Sequence, residues 1–171
     1  MTYLRATTLS LVLVATLGGC AALGALGQVV EAPRFEVDQS RSPELRLQPP
    51  TAGLPTGGAV LRLWARVENP NPMGINLSRV AGDLYLQESR ATGVDFPLGI
   101  PLRAGEVTVV PMEIHLDFSE LPGLADTAMR ALTGAPLAYR LDGTVGIDAG
   151  PFGTPSFGPM TLLAGDVRAF R

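Results

Sequence analysis

The side chains able to react or coordinate are few and fall in three places. A single cysteine, Cys20, ends the apolar stretch "LVLVATLGGC", and a single histidine, His115, lies between Glu113 and Asp117 in "MEIHLDF". Arg62, Trp64 and Arg66 alternate through "LRLWARV". A lone cysteine closes no disulfide within the chain and is too few to hold a metal by itself. The i±2 spacing puts Glu113, His115 and Asp117 on one face of a strand, where the alternatives are a solvated surface and a weak cation site. Arg62, Trp64 and Arg66 also share a strand face. They form a candidate interaction strip, because arginine and tryptophan together stack and bind cations or partners. Alternatively, Trp64 covers an apolar edge or fills a second core layer. All thirteen cations are arginine, which removes Schiff-base and lysine general-base chemistry. No G-x-S-x-G elbow, phosphate loop or H-E-x-x-H motif occurs. The inventory therefore implies no catalytic residue, metal or cofactor, leaving a weak hydrolase as the enzyme alternative.

Cys20 takes its meaning from the residues before it. Arg5, the apolar run Leu9 to Leu17, and the small residues Gly18 and Gly19 have the three parts of a secretory signal. The run is short for a bilayer, which needs about 20 apolar residues. "LGGC" resembles the bacterial lipobox, in which the cysteine is acylated and becomes the new N-terminus. The alternatives are a plain signal peptide or a buried helix with an incidental cysteine. The resemblance implies a lipoprotein signal peptide over 1–19, lipidation at Cys20 by chains such as palmitate, and membrane attachment through them. Residues 20–32 then form the acylated N-terminus and tether, and 33–171 the domain. The same resemblance implies the outer membrane, facing the periplasm, because Ala21 stands where an aspartate would resemble an inner-membrane retention signal.

A chain of 171 residues is one domain with a little to spare, and 46 % hydrophobic residues suffice for a core. The net charge of -3 argues against nucleic acid as a partner. With 20 glycines and 15 prolines the chain reads as turn-rich but globular. Period-two alternation runs through "AVLRLWARVE", "VAGDLYLQ", "VVPMEIHLDF" and "LAYRLDGTVGID", and more briefly through "RFEV", "VDFPLGI" and "FGPMTLL". This predicts Leu61, Leu63, Ala65, Val67 and their counterparts inside. Pro111 predicts a sheet edge or a bulge, since proline gives the ladder no donor. "SELPGLADTAMRALTG" instead repeats Leu121, Leu124, Ala125, Ala128 and Leu132 at helical spacing. Ser119 serves as its N-cap, and Gly134 with Pro136 ends it. The expected fold is mainly β: an antiparallel Greek-key β-sandwich of about seven strands with one amphipathic α-helix.

Between the first two long strands stands "VENPNPMGINLSRVAGDLYL". Asn69 and Asn71 precede Pro70 and Pro72, so both are driven to extended dihedrals, and neither proline donates to a ladder. Their carboxamides can cap the backbone groups left free. NPNP ahead of such a strand resembles the late embryogenesis abundant type 2 family, also called the water-stress and hypersensitive-response (WHy) domain. The likeness continues through "VDFPLGIPLRAGEVTVVPMEIHLDFSEL" and "LAYRLDGTVGID", over about residues 33 to 166. It implies a compact sandwich with one helix, a structural role for Asn69, Pro70 and Asn71, and no established reaction. The expected function is a non-enzymatic outer-membrane lipoprotein that binds or protects an envelope component, with a link to desiccation stress. A lipid-handling module, or an assembly partner of an envelope complex, is the alternative; the partner, protein or lipid, stays open.

Overall fold

The computed structural model describes residues 30–120, 127, 130, 131 and 133–170. Cys20 lies outside them. The strands are β1 (Arg34–Val37), β2 (Glu44–Gln48), β3 (Gly58–Glu68), β4 (Ile75–Leu86), β5 (Ser89–Leu102), β6 (Val107–Asp117), β7 (Leu137–Asp148), β8 (Ser156–Val167) and β9 (Ala169–Phe170). β3 follows the alternation of its sequence. Leu61, Leu63, Ala65 and Val67 are buried, while Arg62, Trp64 and Arg66 point outward. The same holds for Val110, Met112, Ile114 and Leu116 on β6, and for Leu137, Tyr139, Leu141, Val145 and Ile147 on β7.

The strands form two sheets. In the first, β6 pairs with the whole of β3, from Gly58↔Asp117 to Glu68↔Val107. On the other side of β3, β1 and β2 lie end to end, covering its C-terminal and N-terminal halves. β9 adds a short parallel contact to β2 through Leu45↔Ala169. The second sheet has the order β5-β4-β7-β8, antiparallel throughout. β3 and β6 thus pair in one sheet while the intervening hairpin β4–β5 lies in the other. This folded-over hairpin is the connectivity expected of a Greek-key sandwich. One core joins the sheets, with Leu61, Leu63, Leu77, Leu84, Met112 and Leu141 among its fully buried side chains.

Nine strands are present among the described residues, where about seven were expected. The additions, β2 and β9, are five and two residues long. β9 is too short to carry a period, whereas β2 does alternate, with Leu45 and Leu47 turned inward and Arg46 outward, and was not among the expected strands; β2 pairs with β3, and β9 with β2. Pro111 sits opposite Trp64 in unbroken register, on a strand that among the described residues pairs with β3 alone. It therefore marks an edge strand, not a bulge.

The helical segment is described only in part. Phe118–Glu120 form a 3₁₀ turn, and Thr127, Arg130 and Ala131 are helical. Thr127 and Ala131 are buried, so this segment rests on the core. Its end is as expected: Gly134 has φ +73°, its N–H donates to Ala131 O (3.1 Å), and Ala135 N–H donates to Arg130 O (3.1 Å). These are the paired bonds of a Schellman cap. The N–H groups that Ser119 is expected to cap belong to residues outside the described ones, and Ser119 itself stands in the 3₁₀ turn. Its N–H (2.8 Å) and hydroxyl (2.7 Å) both donate to Asp117 Oδ1, so Asp117 closes this turn. Leu121, Leu124, Ala125, Ala128 and Leu132 lie outside the described residues. No helix among the described residues is long and apolar enough to cross a membrane.

Candidate functional site

The NPNP bend joins β3 to β4, crossing from one sheet to the other. Asn69 is fully buried and Asn71 is 2 % exposed. Burying two carboxamides is unfavourable unless every donor and acceptor finds a partner. Here they do. Asn69 Nδ2 donates to the carbonyls of Met73 (2.8 Å), Leu102 (3.1 Å) and Arg103 (3.2 Å). Asn69 Oδ1 accepts from the Asn71 backbone N–H (3.0 Å) and from Asn71 Nδ2 (2.9 Å). Asn71 then reaches the incoming chain: its Oδ1 accepts from Glu31 N–H (2.7 Å) and its Nδ2 donates to Glu31 O (3.0 Å). The backbone of Asn69 is held as well, donating to Glu106 O (3.1 Å) and accepting from Gly105 N–H (3.0 Å).

Two asparagines therefore fasten three segments at one end of the sandwich: the entering chain at Glu31, the bend itself, and the β5–β6 turn. Val30, one residue earlier, is 6 % exposed and belongs to the core. Packing against the core thus reaches back at least to Val30. Sequence reasoning assigned local capping to these asparagines. It could not have found Glu31, Leu102 or Arg103, which lie 33 to 40 residues away in the chain. Pro70 and Pro72 hold the bend without requiring donors of their own.

The other candidate residues lie on the outer face of the first sheet. Arg62, Trp64 and Arg66 do share that face, on the central strand. Arg62 is engaged by Glu113, at 3.2 Å from Nε and 2.6 Å from Nη2. Trp64 is half-buried opposite Pro111, and Arg66 is exposed opposite Glu36 and Val109. His115 Nε2 lies 3.4 Å from the second oxygen of Glu113. Asp117 accepts from Ser119 and from the Thr56 hydroxyl (3.4 Å). Glu113 and Asp117 are thus committed to protein donors, and no cluster of three metal-ligating side chains occurs among the described residues.

The carboxyl groups with a resolved shift all move the same way. Arg62 holds Glu113 below the usual carboxylate range, and Arg79 does the same for Asp95, mainly through hydrogen bonding. Thr161 lowers Asp142, and backbone N–H groups of Ser40 and Ser119 lower Asp38 and Asp117. Each is an anion at neutral pH, unsuited to act as a general acid there. Shallow grooves open to solvent among the described residues. One, of 330 Å³, is lined by Gly74, Ile75, Pro101, Leu102, Arg103 and Asp148 beside the asparagine clamp. The other, of 420 Å³, lies between β1 and β8, lined by Phe35, Val37, Leu162 and Leu163.

A family model described as late embryogenesis abundant protein matches residues 65–161, more than half the chain. The chain belongs to the late embryogenesis abundant type 2 family. The match runs from the C-terminal part of β3 into β8, and so contains the whole asparagine clamp except Glu31. The family is generally non-enzymatic. The solution structure of AT1g01470 from Arabidopsis thaliana is similar, with a TM-score of 0.59 at 15 % identity over 83 % of this chain and 85 % of that one. So is that of a candidate late embryogenesis abundant (LEA) protein, At2g46140.1, with a TM-score of 0.50 at 16 % identity over 86 % and 83 %. At such identities the likeness extends to the fold. No curated protein matches the chain in sequence.

Proposed function

We propose that this late embryogenesis abundant type 2 protein is a non-enzymatic, lipid-anchored module of the bacterial envelope. It is held in the outer membrane by acyl chains on Cys20 and faces the periplasm, where it binds or protects a neighbouring envelope component under water stress. The observation that carries this reading is the clamp on Glu31. The family motif spends its polar groups on gripping the backbone that leads back to Cys20. That is the use expected of a motif whose task is to hold a domain to its anchor. It leaves the motif no free donor or acceptor for turnover of a substrate. The arginine and tryptophan strip on β3 is the surface offered to a partner.

The test is Cys20→Ala. The parent protein should carry an acyl mass increment on its N-terminal cysteine and fractionate with outer membranes at high salt, where electrostatic attachment is screened. The variant should lose both. Retention of the variant in that fraction at high salt would remove the anchor from the proposal.

A further inference from the structure

The exposed apolar side chains of this protein are not spread evenly. Among the described residues the large hydrophobic ones that stand out are Val107 at 42 %, Val109 at 37 % and Phe152 at 50 % exposed. All three lie toward the end of the sandwich where the chain enters. Val107 begins β6 opposite Glu68, immediately after the turn held by Asn69. Phe152 tips the β7–β8 turn, whose base pairs with the start of β4 through Asn76↔Asp148. Arg103, with its side chain 85 % exposed and its Nη1 3.8 Å from Glu106 Oε1, lies in the β5–β6 turn. The shallow groove beside it, bordered by Gly74 and Pro101, continues the same surface.

From this arrangement we infer that the clamp end of the sandwich is a membrane-contacting face, seated on the headgroup layer of a phospholipid bilayer. The inference rests on the reading of Cys20 as acylated. Val30 follows Cys20 by ten residues, which reach at most about 35 Å when extended. Strands of twelve residues such as β4 and β7 are about 40 Å long. The clamp fixes which end the anchor pulls on: this one faces the bilayer, and the β4–β5 hairpin at Gln87 and Glu88 points away. An anchor alone would allow the domain to float within the reach of its tether. Phe152 and Val107 supply apolar surface for the acyl boundary, and Arg103 a cation that can exchange its long, solvent-exposed pairing with Glu106 for lipid phosphates, so that the end rests on the membrane.

The experiment uses the full-length acylated protein in phospholipid vesicles. Because acylation blocks the one native thiol, a new cysteine is the one site that takes a thiol-reactive, polarity-sensitive fluorophore. Thr154→Cys places it two residues from Phe152 in the exposed turn, and Ser89→Cys places it at the far hairpin. Nitroxide-bearing lipids should quench most of the emission at 154 and little at 89. Adding Phe152→Ser with Val107→Ser should return the 154 signal toward that at 89. Equal quenching at the two sites, or none at 154 in protein that carries the acyl mass, would overturn the inference alone. The second outcome is also the one expected if this end serves a protein partner. Absence of the acyl mass would overturn it together with the anchor on which it rests.

Discussion

Asn69→Ala is the perturbation that most directly probes the clamp. It deletes Nδ2, which serves the carbonyls of Met73, Leu102 and Arg103, and Oδ1, which serves both nitrogens of Asn71. Three of those bonds are wholly buried: the ones to Leu102 O, Asn71 N and Asn71 Nδ2. Each buried group left without a partner costs about 1–3 kcal/mol. The bonds to Met73 and Arg103 are partly exposed, so water can replace them at small cost. Counting the buried three near the lower end of that range, since carbonyls keep their second lone pair, the loss is about 3–5 kcal/mol. For a domain of this size that lowers the thermal midpoint by about 10–20 °C. Asn71→Ala should cost less, since its contacts to Glu31 are partly exposed. The two asparagines bond each other, so the double variant should fall short of the sum. Midpoints from thermal and urea unfolding of the three variants decide the matter. A shift below about 3 °C for Asn69→Ala would refute the clamp as a source of stability.

Acid should unfold the protein through the lowered carboxyls. Asp95, Glu113, Asp117 and Asp142 have folded pKa values below their ordinary ones, so their contribution is complete above about pH 4–5. It is lost as the pH falls through the folded values. The thermal midpoint should thus be level near neutrality and drop below about pH 4; a midpoint that rises on acidification would contradict those ion pairs and caps. Gly82→Ala should be strongly destabilising, because a Cβ there meets the backbone of Asp142 and Gly143 on β7, which cannot swing aside as a side chain can. A cost of about 3 kcal/mol is expected from such overpacking, read as a lower urea midpoint with the same slope. Soluble, fully stable Gly82→Ala protein would mean that β4 and β7 are less closely apposed at that pair.

Much of the architecture was legible along the chain, because a strand with one buried face writes its period into the residues. Leu61 to Val67, Val110 to Leu116 and Leu137 to Ile147 alternate visibly, and each run occupies the strand and face that its pattern predicts. Pro111 likewise declared a ladder position without a donor, and Gly134 a helix end, since both are backbone constraints that act locally. What the sequence could not determine was who meets whom. β9 is too short to carry a period, and it forms because β2 presents an open ladder. The asparagines at 69 and 71 announced a turn, but their buried partners lie on segments 33 to 40 residues away, brought close only when the sheets close over the core. The clustering of Val107, Phe152 and Arg103 at the end where the chain enters has the same origin. Side chains far apart in sequence become one surface when three turns meet at one end of a sandwich, and no local pattern records that meeting.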